Sequence, residues 1–435
     1  MDFLATPLRR RALFAALYLS EGAPIGFIWL AFPTWLSLAD VPIERVTTFT
    51  GLLVVPWTFK FAWAPLVDVL RTSRWTLKQW ILTAQTVMGI TLVPLLWLDL
   101  RADFGTILAL LLLHALAAAT QDVAIDALCI SVTDVKERGR LNGWMQAGML
   151  LGRAMFGGGA LVLAAKIGNT AVVGLLIATV TGSMVLVAGS RLPAFATQET
   201  MRERGEEVWR EFLLALGEPH TRQGLLFAFT GGAAFKSLEV VLGPFLVDRG
   251  YSKVEIGSFT AVPMIGLMVV GALIGGWLAD RIPRRVCVSI ALLSFVLPIA
   301  GLAASDAAMG GVRGPHLLAP LAVTALGIGL FTASSYALFM DLTRPGIAAT
   351  QFSAFMGATN GCESWSSFAI GAIIAVSGYP TAMLCMCAVS LPALVLLWWM
   401  RPDRIAAKSS TCDFSDRSPL LRDQNGIEHH EQHGQ

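Results

Sequence analysis

Apolar runs of about 20 residues recur along the whole chain, and they constrain its fold more than any other feature. A helix of that length crosses the ~30 Å hydrocarbon core of a bilayer. Hydrophobic residues make up 55% of the 435 residues and charged residues only 14%, which excludes an ordinary soluble domain. The runs predict twelve transmembrane helices, near residues 12–37, 46–69, 79–98, 105–131, 142–165, 169–190, 224–247, 255–279, 286–305, 316–340, 351–377 and 380–400.

Positive charges are concentrated in alternate loops. If both termini are cytoplasmic, 23 of the 32 Lys and Arg residues fall in cytoplasmic segments and three lie within spans. The six external ones are Arg45, Arg101, Lys166, Arg249, Lys253 and Arg313. Cytoplasmic loops carry the excess of Lys and Arg in membrane proteins. The distribution therefore predicts cytoplasmic termini in a multi-pass protein of the cell inner (plasma) membrane.

A polar stretch over residues 191–223 divides the spans six and six. We predict an N-terminal six-helix half (1–190), a cytoplasmic linker with a surface helix (191–223) and a C-terminal six-helix half (224–400). Residues 401–435 are polar, which predicts a disordered cytoplasmic tail. The three histidines of its "HHEQH" lack partners with metal-ligand spacing, so we expect no metal site there.

The two halves repeat each other weakly. The segment "WAPLVDVLRTSR" (63–74) corresponds to "GGWLADRIPRR" (275–285), and "SVTDVKERG" (131–139) corresponds to "LFMDLTRPG" (338–346). The similar offsets of the two pairs indicate a duplication. Duplicated halves are typical of transporters that bind their substrate near the midplane, between the halves.

The segment "GWLADRIPRR" (276–285) resembles the G-x-L-x-D-R-x-x-R-R signature of the major facilitator superfamily. A glycine here permits close helix approach, the aspartate can stabilise a neighbouring helix N-terminus, and the arginines can pair with carboxylates on the cytoplasmic side. The first-half copy keeps an aspartate but has a displaced arginine. The predicted cytoplasmic gate comprises Asp68, Arg71, Gly276, Asp280, Arg281, Arg284 and Arg285.

Four further segments resemble the peptide/acetyl-coenzyme A transporter family. They are "VPWTFKFAWAPLVD" (55–68), "TQDVAIDA" (120–127), "FKSLE" (235–239) and "PFLVDRGYSKVEIG" (244–257). The resemblance implies an all-α major facilitator fold and import of a sizeable anionic or peptidic solute together with protons. A muropeptide, a siderophore and an acyl-coenzyme A thioester remain open as solutes. A transport-inactive membrane sensor is the alternative from another class.

Two carboxylates lie inside the fourth predicted span, at Asp122 and Asp126. Residues four apart share one face of a helix, and a charge at mid-membrane costs roughly 2.5–3.5 kcal/mol on insertion scales. Two carboxylates this close resist joint ionisation, so one of them is a candidate proton carrier. The cations within spans are Lys60, Arg153 and Lys236, for which we expect contact with substrate anions. The alternative is a static ion pair between Lys60 and the aspartates.

Further polar residues within spans complete a predicted substrate cavity. Glu21 lies beside Gly22 and Pro24, which can break the helix. Lys236 and Glu239 share a helix face and either contact substrate or neutralise each other. In "NGCESWSSF", a Glu beside Trp suits a sugar or peptide, with packing as the alternative for the Trp. The predicted substrate-binding residues are Glu21, Lys60, Gln121, Arg153, Lys236, Glu239, Asn360, Glu363 and Trp365.

The sequence holds no G-x-S-x-G, Walker-type, H-E-x-x-H or zinc-spaced motif. This argues against a hydrolase and a nucleotide-driven pump, so we expect neither enzymatic activity nor a cofactor. The six cysteines lie mostly in spans and indicate small packing residues. The expected partners are a small-molecule solute, protons and the lipid bilayer, with no nucleic acid, and the expected state is a monomer.

Overall fold

The computed structural model describes residues 3–38, 43–72, 74–193 and 201–400. The predicted tail, with His429, His430, His433 and Cys412, lies outside the described residues, as does the linker segment 194–200.

Every regular element in this described part is a helix, as the sequence predicts. The α-helices are α1 Pro7–Gly26, α2 Phe32–Leu38, α3 Ile43–Phe59, α4 Ala64–Val69, α5 Leu77–Leu92, α6 Phe104–Val132, α7 Arg138–Phe156, α8 Gly158–Ile167, α9 Asn169–Ala188, α10 Met201–Gly217, α11 Pro219–Thr230, α12 Ala233–Asp248, α13 Lys253–Phe259, α14 Ile265–Ala279, α15 Arg284–Ala308, α16 Pro315–Leu342, α17 Ala348–Ser390 and α18 Pro392–Met400.

Ten helical stretches among the described residues are long and apolar enough to cross a membrane. The last of them, Pro345–Met400, is 56 residues long and contains Gly378 at a φ of 75°. That positive φ interrupts the helix, because only glycine adopts it without steric cost. A shorter apolar stretch covers Leu52–Ala62.

Glycines bring α1 and α7 into direct backbone contact. A Cβ added to Gly22 would lie 2.2 Å from the carbonyl oxygen of Met149, and one added to Gly26 would lie 2.3 Å from that of Arg153. Small residues allow helix axes to approach this closely inside a membrane. The contact therefore fixes Glu21 and Arg153 relative to each other.

The predicted helix break at Gly22 and Pro24 is wrong. Helix α1 continues through Pro24 to Gly26, and a π-helical turn follows at Phe27–Ala31. Gly22 instead provides space for α7, so its physical role is packing rather than interruption.

The linker helix α10 packs on the end of the molecule that the sequence predicts to be cytoplasmic. Its buried Val208 and Ala215 cluster with Ile347, and Val69 packs against the same group. Helix α11 begins at Pro219, so the last residues of the predicted linker already belong to a helix of the second half.

We expect Gly22→Ala to lower the thermal unfolding midpoint in detergent, because its new methyl group would overlap the backbone of α7. Gly174→Ala in α9 is the matched control, since nothing lies within 4 Å of the added Cβ. In an open helical position, Ala is favoured over Gly by about 0.5–1 kcal/mol. An equal or higher midpoint for Gly22→Ala would contradict the proposed packing.

Candidate functional site

A cavity of about 220 Å³ is lined by residues from both of the predicted halves of the chain. The first half contributes residues of α1, α3, α6 and α7, and the second half contributes residues of α11, α12, α14, α16 and α17. Sites that enclose drug-sized ligands hold roughly 300–1,000 Å³, so the cavity is narrow for a sizeable solute in this state. Its charged lining residues are Lys60, Arg153, Lys236, Glu21, Asp122, Asp126, Glu239 and Glu363.

On the wall formed by the first half, Lys60 lies among three carboxyl groups. Lys60 forms a buried ion pair with Asp122, and the Tyr18 hydroxyl donates a hydrogen bond to Asp126. Glu21 is 1% exposed, and its Oε2 has no hydrogen-bond partner among the described residues. Removing charges from water is costly unless they are paired, which makes this cluster electrostatically demanding.

Lys60 reaches this cluster from an interruption in its helix. Helix α3 ends at Phe59, a 3₁₀ turn covers Lys60–Ala62, and α4 begins at Ala64. The second half contacts the last turn of α3, just before Lys60, because Asn360 Nδ2 donates to the carbonyl oxygen of Trp57 at 3.0 Å. The position of the Lys60 ammonium group is thus linked to a residue of the other half.

The wall formed by the second half pairs Lys236 with Glu363 at 2.6 Å. The alternative of a self-neutralised couple between Lys236 and Glu239 is therefore wrong for this state. Glu239 is exposed toward the cavity and forms no ion pair with a described residue.

Arg153 faces the same cavity from α7. Its guanidinium carbon lies 5.6 Å from the centre of the Trp29 ring, a distance at which a cation is attracted to the ring face. The side chain is exposed and forms no ion pair with any residue of the described part.

Two predicted substrate-binding residues do not line the cavity. Gln121 is fully buried, and neither atom of its amide has a hydrogen-bond partner among the described residues. Trp365 donates its indole N–H to the carbonyl oxygen of Phe229 at 2.9 Å and contacts that residue's ring. Trp365 thus joins α17 to α11, in keeping with the packing alternative.

Two aspartates close the predicted cytoplasmic end by capping helices across the halves. Asp280 accepts hydrogen bonds from the backbone N–H groups of Gly139 at 2.7 Å and Arg140 at 2.8 Å, in the first turn of α7. Asp68 accepts from the backbone N–H of Thr350 at 2.8 Å, in the first turn of α17. Unpaired N–H groups and the helix dipole favour a carboxylate at such positions. The two caps are related by the sequence repeat.

Arginines and glycines complete this closure. Arg284 bonds to Asp341 at 2.7 Å and to the carbonyl oxygen of Val135 at 2.8 Å. Arg138 reaches across in the opposite direction, to Asp341 at 3.2 Å. A Cβ on Gly276 would lie 2.3 Å from the carbonyl oxygen of Gly139, so the halves touch backbone to backbone.

The other predicted gate arginines contact residues of their own half. Arg281 lies over the Trp277 ring at 4.1 Å and Arg285 over the Trp398 ring at 4.8 Å, both within the second half. Arg71 Nη1 lies 3.9 Å from Oδ1 of Asp68, which precedes it by three residues in the sequence. Stacking on Trp is a favourable alternative to an ion pair for a guanidinium group.

Sequence reasoning missed several residues of the site and gate, namely Tyr18, Arg138, Arg140, Asp341 and Thr350. A signal existed for most of them. Arg138 and Asp341 lie inside the repeated segments, and Arg140 and Thr350 closely follow those segments. Tyr18 lies three residues before Glu21 and so shares its helix face.

Comparisons with known proteins identify one family of membrane transporters. A family model described as Major Facilitator Superfamily matches residues 14–362 and also 248–421. The anhydromuropeptide permease of Escherichia coli (strain K12) is 23% identical over 395 residues, covering 89% of this chain and 79% of that protein. The putative transporter AmpG 4 of Rickettsia conorii is 22% identical over 400 residues, covering 87% of this chain and 94% of that protein.

A solved structure of similar fold is the fucose:proton symporter FucP of E. coli. The two chains match with a TM-score of 0.72 at 13% sequence identity, over 90% of this chain and 98% of that chain. At this identity the likeness establishes the fold alone.

We expect Lys60→Met to destabilise the protein strongly, because it leaves the Asp122 carboxylate buried without its cation. Breaking a buried pair from one side costs about 3–5 kcal/mol, whereas apolar replacement of both partners is often neutral. The double variant Lys60→Met with Asp122→Leu should therefore recover most of the loss in a detergent unfolding titration.

The control for these two variants is Arg313→Met, which removes an exposed ion pair with Glu255. Exposed pairs contribute about 0–1 kcal/mol, so this variant should remain close to the parent. An equal loss in Lys60→Met and Arg313→Met would show that the Lys60 pair is not buried.

We expect Asp280→Asn to open the predicted cytoplasmic end by weakening the cap on α7. Cys129 is a native reporter, because it is buried and its sulfur lies near those of Met145 and Met340 from both halves. In a protein with Cys129 as its sole cysteine, Asp280→Asn should raise maleimide labelling several-fold. Asp306→Asn is the matched control, because Asp306 pairs with Arg249 elsewhere in the second half. Equal labelling of the two variants would contradict the gate assignment.

Proposed function

The chain belongs to the Major Facilitator Superfamily, and from this membership we propose that it imports a sizeable anionic or peptidic solute together with protons. It is a multi-pass membrane transporter of small-molecule solutes, and its relatives are transporters rather than enzymes. The permease name of the E. coli relative supports an anhydromuropeptide as the first solute to test. The proposed location is the cell inner membrane.

The charge balance of the cavity is the observation that carries this proposal. Its lining has three cationic side chains (Lys60, Arg153 and Lys236) and five carboxyl groups (Glu21, Asp122, Asp126, Glu239 and Glu363). If all eight were ionised, the cavity would carry two excess negative charges and would repel an anion. Proton uptake by the carboxyl groups removes this repulsion. Binding of an anionic solute and binding of protons are therefore linked.

We propose Asp126 as the carboxyl group that exchanges the coupled proton. Lys60 compensates Asp122 directly, whereas Asp126 is held by the neutral hydroxyl of Tyr18. Glu21 lies on the same wall and places a third carboxyl group beside these two. Asp122 is the alternative exchanging group if Lys60 leaves it during transport.

Alternating access is the proposed mechanism, in a monomer with twelve crossings and cytoplasmic termini. The interruption at Gly378 divides the longest apolar stretch into two crossings, and the segment containing Leu52–Ala62 supplies one more. The contacts of Asp68, Asp280 and Arg284 hold the predicted cytoplasmic end closed in this state. Release of solute on that side then requires these contacts to break.

Uptake into proteoliposomes under an inward proton gradient tests the proposal. Radiolabelled anhydromuropeptide, a siderophore panel and acetyl-coenzyme A are offered in parallel, and we expect accumulation of the first that collapses with a protonophore. Asp126→Asn should abolish accumulation but retain exchange of solute across the membrane, because only the proton step is removed. Glu206→Gln on the exposed face of α10 is the control. Full gradient-driven uptake by both Asp122→Asn and Asp126→Asn would exclude coupling through these carboxyl groups.

A further inference from the structure

Two exposed charges face the cavity from opposite halves without an ion pair or hydrogen bond to any described residue. They are Arg153 on α7 and Glu239 on α12. The two other cations of the cavity are already paired, Lys60 with Asp122 and Lys236 with Glu363. Glu21 and Asp126 also lack a paired cation, but they are 1% and 2% exposed and therefore less accessible to a solute. A charge that is solvated only through a narrow cavity is poorly compensated. Arg153 and Glu239 are thus two accessible groups to which a solute can supply a partner.

Arg153 is held in place before any solute arrives. The carbonyl of its own residue packs against Gly26, and its guanidinium group lies over the Trp29 ring. A guanidinium group has only hydrogen-bond donors, arranged in a planar fork that matches a carboxylate. A group fixed in this way loses little conformational entropy on binding. The first-half wall therefore provides a preformed position for an anionic group.

Glu239 provides the complementary position. It lies one helical turn from Lys236, and the bond between Lys236 and Glu363 leaves Glu239 without that cation as a direct partner. An ionised carboxylate is a hydrogen-bond acceptor only, so it favours an ammonium group or another cationic donor. The second-half wall therefore provides a position for a positive group on the same solute.

We infer that the solute is dipolar, with an anionic group on Arg153 and an ammonium-type group on Glu239, so that one molecule bridges the two halves. This inference rests on the proposed function, in which the cavity is the solute site. A solute with only one of these charges engages a single half. A dipolar solute contacts both halves, and those contacts differ between the open and closed arrangements, as a transported solute requires.

Equilibrium binding to the purified full-length chain tests this inference separately from transport. The probes are an anhydromuropeptide with a free amino group, the same compound after N-acetylation, and the same compound after amidation of its carboxylates. Charge-assisted hydrogen bonds are the strong ones, so the parent protein should bind the unmodified probe at least about tenfold more tightly than either derivative.

Charge-removing variants assign each end of the probe. Arg153→Gln should bind the unmodified and amidated probes equally, yet still discriminate against the N-acetylated one. Glu239→Gln should show the reverse pattern. Arg153→Lys and Glu239→Asp retain the charges and should restore part of the discrimination, which separates a local effect from misfolding. Lys166→Gln and Glu206→Gln are controls at exposed positions and should behave as the parent does.

Equal binding of the three probes by the parent, or binding of none of them, would overturn the dipolar site. A single variant with an unchanged unfolding midpoint that no longer discriminates against either the amidated or the N-acetylated probe would also be informative. It would overturn the assignment of the anionic group to Arg153 and of the ammonium group to Glu239. One further result would distinguish the proton-coupling proposal from the dipolar-site proposal. If probe discrimination is intact but proton-driven accumulation is absent, the coupling proposal fails and the dipolar site remains.

Discussion

The closed end of the molecule depends on carboxylates that cap helices of the opposite half. Asp68 lies in α4 and Asp280 directly follows α14, and each satisfies backbone N–H groups at the start of a helix across the interface. These N–H groups have no partner within their own helix, so a cap satisfies them and also adds the attraction of the helix dipole. These bonds join helices of different halves, so breaking them removes no bond within either half. The cavity above them is closed on this side for as long as they persist.

The charged side chains of the cavity are stabilised differently from the capping aspartates. They pair with one another rather than with backbone N–H groups. Lys60 lies among three carboxyl groups on its wall, next to an interruption of its helix, and Asn360 of the other half contacts the helix just before that interruption. In surroundings of low polarity, each charge without a partner costs free energy. Protonation of the carboxyl groups, binding of solute and the position of the helices therefore influence one another. This interdependence is what the proposed carrier requires, because there the halves move and protons are exchanged in the same cycle.

The sequence predicted much of the fold, because hydropathy and periodicity are local properties. The all-helical architecture, the family and most of the cavity charges were accessible from the chain alone, including Lys60, Asp122, Arg153 and Glu363. The sequence did not reveal which charged residues pair with each other, because the pairs depend on how the helices are rotated against one another. The spacing of Lys236 and Glu239 on α12 suggested a local pair, whereas a second helix, α17, brings Glu363 closer to Lys236. Trp365 was equally ambiguous, because stacking on a solute and bonding to the carbonyl oxygen of Phe229 require the same residue type.

Backbone contacts through glycine occur at two kinds of joint in this protein. Gly22 joins two helices within one half, whereas Gly276 joins helices of different halves. A bulkier residue is sterically excluded at both joints, so tolerance to substitution would be similarly poor. The defects would nevertheless differ, because the first position governs whether a half assembles and the second governs how completely two assembled halves come together. A survey of expression level alone would detect the former, and only a measurement of turnover would reveal the latter.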